Sequence, residues 1–353
     1  MSRTILIMAG GTGGHIMPGL AVADEMRAAG WDVVWLGAKG GMEERLVPSR
    51  VTRMAWIRAR ALRGKGLLSQ LLLPANLLLS FWQSARALFR ERPDVVLGMG
   101  GYVAFPGGMM ASLLARPLAL HEQNAIAGLA NRVLAHVADK VMAAFPEALR
   151  GAEWTGNPVR AEIAAIAEPP ARYATRSGPL NLLVIGGSLG AKALNEAVPA
   201  SLARMSGSLR PRVVHQAGVQ HLDAVRAAYA AQGVTGEVVA FIDNMAARYA
   251  QADVVVCRAG AMTVAELAVA GVPGILVPFP HAVDDHQTAN ARFLVERGAA
   301  LLLPQSELTP RRLAEVLGGL DRARLLEMAC RARALGKPEA ARVVAERCRE
   351  LAR

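Results

Sequence analysis

Aromatic residues are scarce in this chain. They make up 5% of its 353 residues, whereas apolar residues make up 53% and include many alanines, leucines and valines. That balance is typical of parallel sheets covered by helices. The composition indicates no disordered or low-complexity segment. A chain of this length is too long for one ordinary domain and suits two, each with its own core.

Cysteine and acidic residues are also in short supply. Cys257, Cys330 and Cys348 are scattered and odd in number, which fits neither a zinc site nor a disulfide framework and indicates reduced thiols in a cytosolic protein. The net charge of +11 implies acidic partners, namely phosphorylated small molecules or anionic lipid. Nucleic acid is disfavoured because no recognisable nucleic-acid module or aromatic-interleaved basic patch occurs.

No apolar run is long enough to span a bilayer. The most apolar stretch, residues 67–82, is short and interrupted by Pro74. Read as a helix over 76–90, it carries one apolar stripe suited to packing on a sheet (Leu78, Trp82, Ala85, Phe89) and a second stripe that we expect to contact an anionic membrane (Leu77, Phe81, Leu88). The flanking basic residues support the membrane interpretation: Arg53, Arg58, Arg60, Arg63, Lys65, Arg86, Arg90 and Arg92. The alternative is a helix buried between the sheet and its neighbours, with solvated basic loops.

Two glycine-rich turns are the most informative segments. Residues 10–15 follow the apolar run 4–9, and residues 186–191 follow the apolar run 180–185; each turn leads into a helical pattern. The run at 4–9 is predicted to be a strand and not a signal peptide. A strand, a glycine turn and a helix N-terminus together make an anion site, because backbone N–H groups and the helix dipole point at the ligand.

The order of elements predicts the fold class, α/β with two Rossmann-like domains of parallel sheet facing each other across a cleft. Strands are expected at 31–37, 94–101, 116–122 and 139–144, then at 212–217, 237–241, 253–257 and 274–277, with helical segments between them. The domain boundary is expected near 156–160, and the last helix, about 338–353, suits either domain. Ligands of parallel sheets bind beyond the carboxyl ends of strands, so we expect the active site between the domains.

The turns exclude two common enzyme classes. Residues 11–16 lack the final glycine of a dinucleotide fingerprint, and Leu36-Gly37 stands where a ribose-binding acid would be. No Walker lysine follows either turn. A nicotinamide enzyme and a nucleotide kinase are therefore disfavoured.

Polar side chains after the strands are candidate site residues. His15, beside four glycines, could take a proton from a hydroxyl nucleophile, although a lone histidine also serves as a loop hydrogen bonder. His121, Glu122, Gln123 and Asn124 follow a buried strand, and a helix cap would explain only one of them.

Two further segments carry alternatives. Glu266 either binds both hydroxyls of a ribose or forms a capping pair with Thr263. The loop from Asp284 to Gln287 suits sugar hydroxyls, and its spacing resembles no known metal cluster, so no metal is expected.

Together these segments resemble the MurG family of bacterial peptidoglycan glycosyltransferases, which have the GT-B fold. Each turn alone would be a weak signal, but the matches are collinear and cover almost the whole chain: residues 10–15 and 18–21, 98–103, 121–124, 155–160, 186–191, 241–245, 258–266 and the Gln287 loop. Met262 stands where leucine is common, and Asp285-His286 before Gln287 is a further departure, which leaves the sugar-contacting side chain of that loop open.

The resemblance implies an inverting hexosyltransferase without a cofactor. It would transfer N-acetylglucosamine from UDP-GlcNAc to the muramyl 4-hydroxyl of lipid I, forming lipid II and UDP in peptidoglycan synthesis, and thereby serve cell shape and division. Residues 1–157 would bind the acceptor and the membrane, and 158–337 the UDP-sugar. The protein would lie peripherally on the cytoplasmic face of the cell membrane. The alternatives are a UDP-sugar 2-epimerase of the same fold and a non-catalytic sugar-nucleotide-binding partner.

The resemblance also implies residue roles. Glu266 is expected to bind the ribose, the Ile242 backbone the uracil, and Ser188 with Arg160 the diphosphate. His15 is the expected base, with Glu122 as the second candidate. The other implied contacts are the pocket segment Ala261, Met262, Thr263, Val264 and Ala265, the sugar-holding Asn124 and Gln287, and the approach to donor sugar and acceptor by Thr12, Gly13 and Gly14.

Overall fold

A computed structural model describes residues 2–51, 53–58, 73–187 and 189–352. The chain divides into two compact units, an N-terminal unit of Met1–Arg160 with Pro338–Arg353 and a C-terminal unit of Ala161–Lys337. The residues outside the described ranges include Ser188, Arg60, Arg63, Lys65 and the first part of the apolar stretch, residues 67–72.

The N-terminal unit is built on a seven-stranded parallel sheet with the order β3-β2-β1-β4-β5-β6-β7. Its strands are β1 (Thr4–Met8), β2 (Asp32–Ala38), β3 (Arg53–Ile57), β4 (Val95–Gly98), β5 (Leu118–Glu122), β6 (Lys140–Ala143) and β7 (Glu153–Trp154). Among the described residues up to Arg160, its helices are α1 (Gly13–Ala28), α2 (Glu43–Leu46), α3 (Leu73–Glu91), α4 (Ala104–Leu113) and α5 (Leu129–Leu134). Every residue of β1 is buried, as expected of a central strand covered on both faces.

The C-terminal unit repeats this plan with a six-stranded parallel sheet of order β10-β9-β8-β11-β12-β13. Its strands are β8 (Asn181–Ile185), β9 (Arg212–Gln216), β10 (Glu237–Val239), β11 (Val254–Cys257), β12 (Gly274–Leu276) and β13 (Ala300–Leu302). Its helices are α6 (Ala161–Ala164), α7 (Pro169–Tyr173), α8 (Lys192–Ala203), α9 (Leu222–Ala231), α10 (Met245–Gln251), α11 (Ala261–Ala270), α12 (His286–Val295), α13 (Pro310–Gly318) and α14 (Arg322–Leu335). The predicted class of two parallel α/β sheets is confirmed.

An equivalent aspartate contact is present in both sheets. Asp94, immediately before β4, accepts a hydrogen bond from the first N–H of β1 at Thr4 (2.7 Å). Asp253, immediately before β11, does the same for the first N–H of β8 at Asn181 (2.7 Å). In each unit an aspartate carboxylate therefore accepts the hydrogen bond of the first N–H group of a central strand, which would otherwise lack a partner in the sheet.

The chain ends in α15 (Ala340–Leu351), which belongs to the N-terminal unit. Val344, Ala345 and Cys348 are buried in the core formed with α1 and the first strands. On the polar side of α15, Arg347 binds Glu153 of β7 at 2.8 Å. That hydrogen-bonded pair lowers the pKa of Glu153 to about 2.

Helix α3 presents a different face to the sheet from the one predicted. Leu88 is 1% exposed, so it cannot contact a membrane, whereas Leu78, Trp82 and Phe89 of the other stripe are 70%, 58% and 62% exposed. The cause is the buried Ser80, whose hydroxyl donates to the carbonyls of the preceding helical turn and of the segment after β3. A serine with those acceptors can face the core, and the helix is rotated accordingly.

Leu77 and Phe81, the other two residues predicted to contact a membrane, are half-buried. The Phe81 ring packs edge-on against Phe105 of α4, with centroids 6.0 Å apart, and Leu77 lies one turn before it. In the part of the chain that the structure describes, no helix has the length and apolarity needed to cross a membrane.

Candidate active site

The first glycine turn joins β1 to α1 at the carboxyl end of the strand. Gly11 has a φ of 87°, Thr12 is the extended N-cap residue, and α1 begins at Gly13. The N–H groups of Gly13 and Gly14 therefore lie in the first helical turn, where N–H groups lack partners within the helix and the dipole favours an anion. The turn has the backbone geometry that the anion-site prediction requires.

His15 lies in the first turn of α1, and its imidazole contacts the glycine turn. Its Nδ1 is 3.3 Å from the Gly10 carbonyl oxygen and 3.2 Å from the Thr12 hydroxyl. A carbonyl only accepts, so the contact with Gly10 is a hydrogen bond when the imidazole carries its proton on Nδ1. In that tautomer Nε2 is the basic nitrogen. Gly100 faces it, where an added Cβ would lie 3.1 Å from Nε2.

The Glu122 carboxylate is hydrogen-bonded to the loop that follows β5 and to the start of α5. It is 2% exposed and accepts hydrogen bonds from the Asn124 N–H (2.8 Å) and side-chain amide (3.3 Å), the Gly128 N–H (3.2 Å) and the Asn131 amide (2.8 Å). Four donors fill the acceptor positions of a carboxylate. This geometry favours a loop-holding role for Glu122 over a role as a general base.

His121, beside Glu122, is also turned into the protein. Its Nε2 donates to the Gly156 carbonyl (2.9 Å), and its Nδ1 accepts from the Gln123 amide (3.1 Å). Burial lowers the pKa of His121 to about 4, so the ring is neutral at physiological pH. The Asn157 amide donates to the Gln123 carbonyl, which ties this loop to the end of the N-terminal unit.

The second glycine turn follows β8 and leads into α8. An added Cβ at Gly186 would lie 2.2 Å from the Ala191 nitrogen, and one at Gly190 would lie 1.9 Å from the Ala217 carbonyl. Only glycine fits such close backbone approaches. Ser188, the predicted diphosphate ligand, lies outside the described residues.

Buried side-chain amides stabilise the second glycine turn. The Gln216 amide at the end of β9 donates to the Gly187 carbonyl (2.8 Å). The Asn195 amide on α8 donates to the Ala217 carbonyl (3.0 Å), and its Oδ1 accepts from His215 Nε2 (3.0 Å). The turn and the start of α8 are therefore fixed by side chains of the neighbouring strand.

Glu266 is positioned by the start of α11. The N-cap residue of this helix is Gly260 and the helix begins at Ala261, which places Thr263 inside it. The alternative interpretation of Thr263 and Glu266 as a capping pair is therefore wrong, because a capping residue must precede the helix. The Glu266 Oε2 accepts a hydrogen bond from the Tyr249 hydroxyl at 3.0 Å.

The remaining residues of the predicted donor pocket differ in burial. Val264 is 0% exposed, so a ligand would meet its backbone and not its side chain. Ile242, between β10 and α10, is also buried. Ala261 is buried, whereas the half-buried positions are Asn124, Arg160, Met262, Thr263 and Ala265. Arg160 is the last residue of the N-terminal unit before α6.

Gln287 follows a strained bend at the start of α12. Asp284 and Asp285 have φ values of 52° and 50°, a region that non-glycine residues rarely adopt. The Gln287 Oε1 accepts from the Phe279 N–H at 2.9 Å, which turns the amide NH₂ away from that contact. The amide is therefore available as a donor, which suits a sugar oxygen.

Sequence reasoning missed Glu43 and Gln216. Glu43 is fully buried beneath the first glycine turn, and Gln216 lies behind the second. A usable signal existed for Gln216, which is the last residue of β9, the strand beside β8. Glu43 lies on α2, five residues after β2 ends, and its sequence position gave no such signal.

Known protein families share this arrangement of sheets and turns. The glycosyltransferase family 28 N-terminal domain matches residues 5–143, and the glycosyltransferase family 28 C-terminal domain matches residues 181–345. The crystal structure of Acinetobacter baumannii MurG is 40% identical with a TM-score of 0.86, covering 99% of each chain. The chain is thus a family 28 glycosyltransferase of the GT-B fold.

Sequence relatives refine this assignment. The UDP-N-acetylglucosamine–N-acetylmuramyl-(pentapeptide) pyrophosphoryl-undecaprenol N-acetylglucosamine transferase of Aromatoleum aromaticum is 63% identical over 350 residues, 99% of this chain and 98% of the relative. The protein of the same name from Nitrosospira multiformis is 61% identical over 354 residues, 99% of each chain. The chain belongs to this transferase family, the MurG family. The UDP-GlcNAc 2-epimerase of Neisseria meningitidis, at 14% identity, 98% coverage of each chain and a TM-score of 0.66, shares the fold alone.

Proposed function

We propose that this protein transfers N-acetylglucosamine from UDP-GlcNAc to lipid I, forming lipid II and UDP. The observation that carries the proposal is full-length identity of 60–63% to transferases named for that donor and acceptor. The epimerase alternative has only the shared fold in its favour. The glycine turns after β1 and β8 supply the anion-binding backbone that a sugar nucleotide and a pyrophosphoryl lipid both need.

The C-terminal unit binds the donor in this proposal. Glu266 accepts the ribose hydroxyls, and the Ile242 backbone contacts the uracil. The diphosphate lies at the turn before α8, whose N-terminus stabilises its charge together with Ser188 and Arg160. Gln287 holds the sugar, and the first turn of α11 lines the same pocket.

The chemical step is an in-line displacement at the anomeric carbon. The N–H groups of Gly13 and Gly14, with Thr12, hold the reacting groups at the N-terminus of α1. His15 Nε2 takes the proton of the acceptor hydroxyl as the new glycosidic bond forms and UDP leaves from the opposite face. The charge that develops on the leaving diphosphate is stabilised by the α8 N-terminus without a metal. Glu122 holds the β5 loop.

The acceptor is lipid-linked, so the protein must reach a membrane surface. We assign the cytoplasmic-face contact to the exposed stripe of α3, namely Leu78, Trp82 and Phe89. The guanidinium of Arg86 lies 5.7 Å from the Trp82 ring centroid, so a cation flanks the apolar stripe. Apolar side chains edged by arginine suit an anionic lipid surface, and the binding is peripheral.

Complementation tests the proposed function. A bacterial strain depleted of its own lipid II-forming transferase should regain growth when this chain is expressed. A Glu266→Ala variant expressed at the same level should not restore growth. Failure of the wild-type chain to support growth, despite soluble expression, would argue against the proposal.

A further inference from the structure

A buried carboxylate lies directly beneath the first glycine turn. Glu43, on the short helix α2 after β2, is 0% exposed. Its Oε2 accepts from the Gly11 N–H (3.1 Å), and its Oε1 accepts from the Ala38 N–H (3.0 Å) and the Tyr102 hydroxyl (3.4 Å). Three neutral donors therefore surround this one carboxylate, and hydrogen bonds to a carboxylate are stronger than those between neutral groups.

One peptide group connects Glu43 to His15. The N–H that binds Glu43 belongs to Gly11, and the carbonyl that binds His15 Nδ1 belongs to Gly10, so both groups belong to the peptide bond between these two glycines. In a trans peptide the N–H and the C=O point in opposite directions. The carboxylate therefore lies on one side of the peptide group and the imidazole on the other.

We propose that Glu43 is a positioning residue that acts through the Gly10–Gly11 peptide to hold His15 with its proton on Nδ1 and Nε2 as the basic nitrogen. This inference rests on the proposed role of His15 as the base. A carboxylate bound to the N–H polarises the peptide and makes its carbonyl a stronger acceptor for the imidazole, because linked hydrogen bonds strengthen one another. Catalytic triads hold a histidine base in one tautomer by direct contact with a carboxylate, and here a peptide group lies between the two.

The turn is built around this carboxylate. An added Cβ at Gly10 would lie 2.6 Å from the Glu43 Oε1, and one at Gly11 would lie 3.0 Å from the Tyr102 ring. Both glycines therefore allow the peptide group to lie close to Glu43 and Tyr102. With the His15 proton on Nδ1, the Thr12 hydroxyl oxygen is a second acceptor for it.

Three other titratable groups belong to the elements around this turn: Tyr102, Glu44 and His121. Burial and the adjacent Glu43 raise the pKa of Tyr102 to about 12, so its phenol remains a donor across the physiological range. Glu44, on the same helix, is exposed and accepts from the Gly40 N–H. His121 on β5 is neutral above a pKa of about 4.

Glu43→Gln tests the inference, since it keeps the shape of the side chain and removes its charge. Two measurements report on His15 directly: the ¹⁵N chemical shifts of its imidazole in the free enzyme, and the pH dependence of kcat/KM. Wild type should hold the Nδ1–H tautomer. Glu43→Gln should lower the population of that tautomer, move the acidic limb of the kcat/KM profile to lower pH by about half a unit, and reduce kcat by roughly tenfold. The KM for UDP-GlcNAc should change by less than about twofold, because the donor-binding residues are untouched.

Tyr102→Phe is the matched control, because it removes one hydrogen bond from the same carboxylate and keeps the charge. Its acidic limb should remain in the wild-type position. An unchanged limb and tautomer population in Glu43→Gln would overturn the inference and leave Glu43 a structural role. An Nε2–H tautomer in wild type would overturn it as well, even if the Glu43→Gln protein fails to fold. Full turnover in His15→Ala would instead refute the base assignment, while the tautomer measurement still tests the link between Glu43 and His15.

Discussion

The hydroxyl of Tyr249 donates a hydrogen bond of 3.0 Å to Oε2 of Glu266, joining α10 to α11 beside the segment that carries Ile242. The contact fixes the rotamer of a carboxylate one turn inside α11. A side chain held in this way loses little conformational freedom when it binds a ribose.

Glu266→Ala should therefore weaken UDP binding by at least about tenfold, because hydrogen bonds to a charged acceptor contribute roughly 1.5–3 kcal/mol. Isothermal titration calorimetry measures this. Tyr249→Phe, which keeps the carboxylate but removes this hydrogen bond, should weaken UDP binding by only about a few-fold. Unchanged UDP affinity in Glu266→Ala would contradict the ribose assignment.

His15→Ala should reduce turnover by roughly 10²–10⁴, the range for loss of a general base. UDP affinity should stay close to that of wild type, since the donor-binding residues remain in place. Steady-state kinetics with lipid I and calorimetry with UDP separate the two effects. A large loss of UDP affinity would show that His15 binds the donor and would not support the base assignment.

Glu122→Ala should lower the melting temperature, because the Asn124 and Gly128 N–H groups and the Asn131 amide lose their shared acceptor. Each buried donor left unpaired costs about 1–3 kcal/mol. Differential scanning calorimetry measures the change, with His15→Ala as the comparison that should melt near wild type. If Glu122→Ala melted like wild type and lost all turnover, the base role would pass from His15 to Glu122.

Trp82→Asp should abolish flotation of the protein with vesicles that contain anionic lipid, because it places a charge in the exposed stripe of α3. Wild type should co-float and be released at high salt. Leu209→Asp replaces an exposed leucine of the C-terminal unit (62% exposed) and should still co-float. Equal flotation of both variants would show that this stripe is not the membrane contact.

Stability should fall as the pH drops below about 6.5, partly because of His215. Burial lowers the pKa of His215 to about 4, so between the two values the unfolded chain binds a proton that the folded chain does not. The folded ring accepts from the Tyr229 hydroxyl and donates to Asn195. His215→Gln should show a smaller loss of melting temperature from pH 7.5 to 5.0 than wild type, which thermal scans at the two pH values measure. An equal loss in both proteins would contradict this assignment.

The central strands were predicted well because their residues are buried on both faces. β1 and β8 are continuous apolar runs that end at glycines, a pattern typical of buried parallel strands. β13, Ala300–Leu302, was not predicted; it lies at the edge of its sheet, and Leu301 and Leu302 are only partly buried. β3 was also missed: the charged Arg53 opens it, and only the four residues 54–57 are apolar.

Side-chain environments were harder to predict than strands. The orientation of α3 depends on Ser80, which is polar yet buried because two carbonyls accept its hydroxyl. Glu43 looks like a surface residue in sequence, and only the close packing of the glycine turn reveals its place beneath Gly11. Both cases depend on contacts between residues distant in the chain, which periodicity does not encode.

The most direct test of the assigned reaction is a single labelling experiment with and without the acceptor. Purified protein is incubated with UDP-GlcNAc labelled in the sugar, either alone or with lipid I in detergent, and the sugar and UDP products are separated. We expect label to enter the lipid fraction only when lipid I is present, with one UDP released for each sugar transferred. Conversion of UDP-GlcNAc without lipid I would indicate an epimerase, and donor binding with no UDP release in either tube would indicate a non-catalytic protein; either result would contradict the assigned reaction.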